Sequence, residues 1–243
     1  MQLSIHATYE EMSQKAAEAV IRLAETLTEP LICFPSGNTP VLFLQNIVNH
    51  FKEKNETPNW YFISLDEWLG VPATEKGSCR QFLDEHFFQP LSIPENRIFF
   101  FDGLSPDPEA ECRKAEQWLD IRGNIKICVL GLGQNGHLGL NEPGSDFGLK
   151  MQIVSLTEST IVGGRKYFSN PVELNSGITL GLATIMNAGT VFLLVNGSKK
   201  AAILQHVLEG TVTPQIPATI LKEHPDCWVY MDEEAIQQQN HVY

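Results

Sequence analysis

Long apolar runs are missing from this chain. No stretch is long and apolar enough to cross a bilayer. The opening MQLSIHATYEEM lacks both the basic start and the apolar core of a secretion signal. These two absences lead to the expectation of a cytoplasmic protein with no membrane partner. Positive charge is also scarce: 17 Lys and Arg stand against 29 Asp and Glu, a formal net charge of −12. No basic run could track a phosphate backbone, which argues against nucleic acid. A small anion is not excluded, because a helix N-terminus with one or two cations can hold a phosphate in an acidic protein. Cysteine is sparse and unpatterned. Cys33, Cys79, Cys112, Cys128 and Cys227 are widely spaced, odd in number and without CxxC or finger-like His spacing. They read as reduced thiols, some filling core space, with no metal site. Repeats, low-complexity segments and linker-like stretches are absent too. At 43% hydrophobic, 243 residues can bury one substantial core, so residues 1–243 are expected to form one domain.

What is present is an alternation of strands and helices. Gln2–His6 reads as a short strand, and Thr8 with Glu11 as a capping box. Apolar residues at helical spacing then run from Glu10 to Leu27. Leu31–Phe34 is strand-like, Pro35 to Pro40 breaks it, and Val41–Phe51 is helical. Further strands are predicted at Trp60–Leu65, Ile125–Leu130, Val191–Val195 and Cys227–Met231, with a helix at Lys199–Leu208. Such alternation predicts an α/β fold with a mostly parallel sheet covered on both faces. Ligands bind such sheets at the carboxyl ends of strands. The polar residues Ser36 to Thr39, Asp66 and Glu67, Asn135 to Glu142 and Ser198 to Lys200 all follow predicted strands, so they are expected to converge on one edge.

Each of these segments admits a plain and a functional reading. The glycines of Gly131 to Gly144 suit tight turns, but Pro143 and Gly144 interrupt the helix that a dinucleotide fingerprint needs. His137 could be an ordinary satisfied histidine, or it could pair with Glu142, which would orient the ring and raise its basicity. Asn135 is a second orienting group. Asp66 could belong to a solvated turn, or act as a general base once burial raises its pKa. Ser36, Gly37, Asn38 and Thr39 offer N–H groups and hydroxyls before a helix, as an N-cap or as a phosphate cradle. Lys200, and Arg165 or Lys166, supply cations beside Tyr167 and Phe168, or simply a basic face.

Four segments together carry a resemblance: FPSGNTP (34–40), SLDEWLG (64–70), GLGQNGHLGLNEPGS (131–145) and NGSKKA (196–201). In this order and spacing the chain, from about residue 8 to 232, resembles the glucosamine-6-phosphate deaminase/isomerase family. The resemblance implies a single-domain, modified Rossmann-like α/β/α sandwich that uses no nucleotide, redox cofactor or metal. It also implies a small-molecule sugar phosphate as partner. In that reading His137 assists opening of the pyranose ring and Glu142 tunes it. Asp66 moves a proton from C2 to C1, and ammonia is released as the ketose 6-phosphate forms. Phosphate would be held by Ser36, Gly37, Asn38 and Thr39, by Lys200, and by Arg165 or Lys166.

LDEW, GSCRQFL (77–83), CVLGLGQNGHLGLNEPG (128–144) and GITLGL (177–182) look particularly like the galactosamine-6-phosphate isomerase branch. Two departures stand out. Many members carry aspartate where this chain has Asn135, which can orient His137 but cannot share charge with it. Allosteric hexameric members carry basic residues where Gln152 and Val154 stand here, and they extend beyond the position of Tyr243. A monomer or small homo-oligomer without that regulatory site is therefore expected. Two rival readings are a 6-phosphogluconolactonase, which usually lacks the Asn141–Gly144 ending, and a sugar-phosphate sensor, which would not need Asp66, His137 and Glu142 together.

Overall fold

The computed structural model describes residues 1–237; the chain end at Tyr243, on which part of the oligomer expectation rests, lies outside them. Among the described residues ten strands occur in chain order: β1 (Gln2–His6), β2 (Leu31–Cys33), β3 (Tyr61–Ile63), β4 (Asp66–Trp68), β5 (Ile98–Phe99), β6 (Ile127–Gly131), β7 (Met151–Ser155), β8 (Ser176–Leu180), β9 (Thr190–Val195) and β10 (Cys227–Asp232). The α-helices are α1 (Tyr9–Glu25), α2 (Val41–Lys54), α3 (Cys79–Leu83), α4 (Pro108–Arg122), α5 (Glu158–Arg165), α6 (Leu182–Met186), α7 (Ala201–Glu209) and α8 (Glu233–Ile236).

Seven strands form one sheet in the order β1-β10-β9-β6-β2-β3-β5, and every pairing in it is parallel. Its side chains alternate between two cores with the period of two that a strand imposes. Ile32, Phe62, Ile127, Val129, Phe192 and Leu194 face α1 and α2, against Met12, Val20, Phe43 and Ile47. Leu31, Cys33, Cys128, Leu130, Val191 and Leu193 face the other way, against Leu182, Leu204 and Val207. Both faces are thus buried, and this is why the strands read as unbroken apolar runs. The α/β expectation holds. Cys33, Cys79, Cys128 and Cys227 are buried free thiols, and Cys112 is half-buried. No helix among the described residues is long and apolar enough to cross a membrane.

The capping box before α1 forms with a one-residue shift. Thr8 Oγ1 accepts the Glu11 N–H at 3.2 Å, but the Glu11 carboxylate reaches back to the Ala7 N–H at 3.1 Å. Such a cap satisfies two donors that the helix itself leaves unpaired.

Two expectations need correction. Asp66 and Glu67 do not end a strand running from residue 60 to 65. The first strand stops at Ile63, and Asp66 opens a new one, β4, antiparallel to β8 in a separate three-stranded sheet, β4-β8-β7. A three-residue strand beginning with two acids has no visible periodicity, so only its partner defines it. The helix expected from Lys199 begins instead as a 3₁₀ turn at Ser198–Lys200 that leads into α7. Helix α4 carries no clear signal in the sequence, because its buried residues are confined to Glu111 and Ala115.

Candidate active site

In sheet order, the chain runs outward from β2 through β3 to β5 on one side and from β6 through β9 and β10 on the other. The loops leaving β2 and β6 therefore part from each other, which opens a crevice at the carboxyl edge. A cavity of about 530 Å³ lies there, lined by the 35–40 loop, Asp66, the 131–140 loop, part of α5 and the 196–200 loop. The predicted convergence of four segments is thus observed.

The 35–40 loop is built to present backbone groups. Phe34 enters an aromatic cluster, edge-on to Phe43 and Phe87 with centroids 5.6 and 5.1 Å apart, which fixes where the loop begins. Gly37 turns the chain at φ +106°, a value that disfavours any side chain, and a Cβ there would press on the Tyr167 hydroxyl at 3.3 Å. The Tyr9 hydroxyl lies 2.9 Å from the Thr39 carbonyl and accepts the Leu42 N–H at 3.2 Å. Thr39 donates to Asn196 Oδ1 at 2.6 Å, tying this loop to the one after β9. That second loop is held by Asp232, which accepts the Gly197 N–H and caps α8. The first turn of α2 spends N–H groups locally, Leu42 on the Tyr9 hydroxyl and Val41 on the Asn38 carbonyl at 3.4 Å.

Asp66 is 8% exposed at the start of β4. Burial pushes its carboxyl up to about 6, against a hydrogen bond from the Cys79 thiol and the nearby charge of His137. The Ser36 hydroxyl in turn donates to Cys79 Sγ at 3.1 Å, so the thiol joins the 35–40 loop to the acid. Next to it, Glu67 is fully buried and accepts three backbone N–H bonds at 2.9 Å, from Trp68, Cys79 and Arg80. Burial pushes it up to about 7 in spite of those bonds. Its work is structural: it fastens β4 to the first turn of α3 and thereby sets Cys79 against Asp66.

The loop after β6 is fastened by Asn141, which is fully buried and donates to the Leu138 and Leu180 carbonyls at 2.7 and 2.8 Å. Its Oδ1 accepts from the Gln152 amide. Gly133 lies directly against the His137 ring: a Cβ there would fall 2.3 Å from Cδ2. Glu142 stands behind the ring, its Oε2 3.7 Å from His137 Nδ1. It accepts from Asn135 Nδ2 at 2.8 Å, from the Thr157 N–H at 3.2 Å and from the Thr157 hydroxyl at 3.1 Å. Burial alone would raise its pKa, but bonds from His137, Thr160 and Asn135 outweigh burial and hold it down at about 2. Glu142 is therefore an ionised partner for the histidine across the working pH range.

Asn135 differs from expectation in how it orients His137. Its Oδ1 accepts the His137 backbone N–H at 3.1 Å and its amide serves Glu142, so it acts on the loop and the carboxylate and makes no bond to the ring. Ring Nδ1 instead lies 3.2 Å from the Thr160 hydroxyl.

Among the cations, Lys200 reaches into the site and donates to the Leu132 carbonyl. Burial and the nearby charge of Lys166 depress it to about 8. Lys166 lines the cavity and Arg165 does not. Both side chains lie exposed at the end of α5. Glu142 is also absent from the cavity wall, consistent with a supporting position. The sequence gives no sign of Thr157 and Thr160, whose local spacing carries no motif, and no site role for Cys79 or Tyr167. Among the described residues, no group of three or more His, Cys, Asp or Glu side chains is arranged to hold a metal ion.

Comparison with known proteins gives a consistent result. A family model described as glucosamine-6-phosphate isomerases/6-phosphogluconolactonase matches residues 6–229. The chain is 34% identical over 238 residues to a glucosamine-6-phosphate deaminase of Geobacillus sp. (strain WCH70), covering 97% of this chain and 95% of that one. It is also 34% identical over 230 residues to glucosamine-6-phosphate deaminase 1 of Bacillus subtilis (strain 168), covering 94% and 95%. A solved monomeric glucosamine-6-phosphate deaminase superposes with a TM-score of 0.93 at 31% identity, covering 98% of this chain and all of that one. A 6-phosphogluconolactonase from Trypanosoma brucei reaches 0.75 at 21% identity over 96% and 97%, a likeness of fold alone. Motifs, sheet order and overall similarity agree: the chain belongs to the family of glucosamine-6-phosphate isomerases and 6-phosphogluconolactonases.

Proposed function

We propose that this chain converts a 2-amino-2-deoxyhexose 6-phosphate into the corresponding ketose 6-phosphate and ammonia, with one water consumed. One observation carries the reading. Two acid–base groups with separate environments line a single cavity: Asp66, a buried carboxyl poised at about 6, and His137, backed by an ionised Glu142. Environments that set two titratable groups apart give them separate tasks.

His137 takes the proton of the C1 hydroxyl and returns one to the ring oxygen, so the ring opens to the aldehyde. Asp66 removes the C2 proton, and the carbonyl oxygen is protonated as the C1–C2 double bond forms. The same carboxyl returns the proton at C1, which leaves an iminium at C2. Water adds there and ammonia departs. Asp66 suits this exchange because its pKa lies close to the working pH. The Ser36–Thr39 loop, Lys166 and Lys200 hold the phosphate and so fix C1 and C2 between the two groups.

Glucosamine 6-phosphate is supported by the names of the similar deaminases. Galactosamine 6-phosphate is supported by GSCRQFL and GITLGL. The two sugars differ only at C4, away from the reacting carbons. The chain is read as a monomer or small homo-oligomer acting in the cytoplasm.

The test is ammonia release from purified protein, with each amino sugar supplied separately. Release from either supports the reaction class, and the ratio of kcat/KM values names the substrate. No release from either overturns the reading and directs the search to 6-phosphogluconolactone hydrolysis.

A further inference from the structure

The loop read as a phosphate cradle has an outer side as well as an inner one. Ser36, Gly37, Asn38 and Thr39 are successive residues in the cavity wall, and none of their four backbone N–H groups finds a hydrogen-bond partner among the described residues. Two of their carbonyls do. The Tyr9 hydroxyl lies 3.0 Å from the Asn38 carbonyl oxygen and 2.9 Å from that of Thr39. Tyr9 is the first residue of α1 and is absent from the cavity wall. It therefore meets the loop from the side away from the cavity.

We propose that Tyr9 is a positioning residue for phosphate binding: its hydroxyl holds the Asn38 and Thr39 carbonyls on the outer side of the 35–40 loop, and so aims the Thr39 N–H into the cavity at a phosphate oxygen. The proposal rests on the reading of Ser36 to Thr39 as the phosphate cradle.

Peptide geometry carries the step. A trans peptide is planar, with its C=O and N–H pointing in opposite directions. The Asn38 carbonyl and the Thr39 N–H share one such unit, so a carbonyl held toward Tyr9 turns the N–H the other way. The next unit ends in Pro40 and has no donor to offer. Its Thr39 carbonyl would repel an anion if it faced the cavity, and the same hydroxyl keeps it outside. Phosphate oxygens accept hydrogen bonds, so a cradle must show donors and hide acceptors. The phenol has one proton to share between the two carbonyls, and its oxygen accepts the Leu42 N–H at 3.2 Å. Burial raises its pKa, so that proton is kept across the working range.

Other restraints leave this peptide unit to Tyr9. Gly37 turns the chain two residues earlier. Thr39 is tied to Asn196 through its side chain. The Val41 N–H reaches the Asn38 carbonyl only at 3.4 Å, a long bond. The phenol itself is well placed to hold a loop. The Thr8 cap starts α1 at Tyr9, and the ring packs against the core that α1 shares with α2.

The experiment is a titration of inorganic phosphate into ligand-free ¹⁵N-labelled protein, followed by NMR at the Thr39 amide. In wild type this amide should shift as phosphate binds. Tyr9→Phe keeps the ring and loses the hydroxyl; its Kd for phosphate should rise about fivefold, and in the ammonia assay its KM should rise about fivefold with kcat within about twofold. A wild-type Thr39 amide that phosphate does not move overturns the proposal. So does a Tyr9→Phe protein with wild-type Kd and KM, even one with a lower melting temperature, because the hydroxyl would then only cap the first turn of α2. If Tyr9→Phe does not fold, the wild-type amide decides by itself. Absence of ammonia release by wild type would instead overturn the proposed reaction, and the phosphate titration would still decide the role of Tyr9.

Discussion

Gly133 and His137 are packed so closely that the glycine has no room for a single carbon: an added Cβ would lie 2.3 Å from Cδ2 and 2.4 Å from Nε2 of the imidazole. The backbone N–H of Gly133 also donates to the His137 carbonyl at 3.0 Å, so the two residues close one tight turn. This glycine, two residues beyond β6, thus serves the ring. Gly133→Ala is expected to push the imidazole off Glu142 and lower kcat by about two orders of magnitude, the range of a lost general acid–base group. Isothermal titration with the ketose 6-phosphate product checks that binding is kept; equal loss of binding would mean that the whole loop has moved.

Asp66 is expected to impair the stability of the protein that it serves. Its folded pKa, about 6, lies above the ordinary carboxyl value of 3.8. Between those two values the native state holds the proton more tightly than the unfolded chain, so stability falls as pH rises through that window. At neutral pH the cost is on the order of 3 kcal/mol. Asp66→Asn should therefore abolish exchange of the C2 proton with solvent and raise the melting temperature at pH 7, with the gain vanishing near pH 4. A variant that still exchanges the proton would remove Asp66 as the base.

The two lysines give a pH signature. Lys200 is depressed to about 8 by burial and by Lys166, so the free enzyme loses this cation as pH rises through about 8. KM for the sugar phosphate should climb above that pH. Lys200→Arg, which stays charged, should flatten the rise, and Lys200→Ala should raise KM about tenfold at neutral pH. A steady-state pH series on the three proteins provides the check.

Arg165 and Lys166 are neighbours with different surroundings: only Lys166 lines the cavity. Lys166→Ala is expected to raise KM about tenfold and Arg165→Ala to leave it within about twofold. The opposite pattern would move the phosphate to the outer face of α5.

Asn135→Asp tests the anion behind the histidine. Glu142 is held at about 2, below the ordinary 4.5, so its charge contributes stability above its unfolded value, and the contribution is lost as pH falls toward 2. The Asn135 amide donates to Glu142 Oε2 at 2.8 Å. A second carboxylate at that distance cannot remain charged beside the first, and the pair must share a proton. The acid limit of activity should move upward and acid unfolding should begin at higher pH, both measurable by pH titration. Unchanged profiles would mean that the loop rearranges to separate the two acids.

Most of the framework was legible in the chain itself. Leu31–Cys33, Ile127–Gly131, Thr190–Val195 and Cys227–Asp232 are apolar on both faces, which alone implies a buried parallel sheet. A polar turn after each strand locates the ligand edge, because a backbone leaving a buried sheet must find its partners in loops. The motif residues Asp66, Asn135, His137 and Lys200 could be named on that basis and do meet around one cavity. The tertiary structure alone decided the rest. Asp66 becomes a strand residue because β8 pairs with it, and a raised acid because the fold buries it, against the opposing hydrogen bond of the Cys79 that Glu67 holds in place. Thr160 meets His137 across 23 residues, and Lys166 borders the cavity where Arg165 does not, with nothing in the spacing to indicate either. Local periodicity reports which face of an element is buried. Burial, proton poise and hydrogen-bond partners depend on which elements meet, and that is a property of the folded chain.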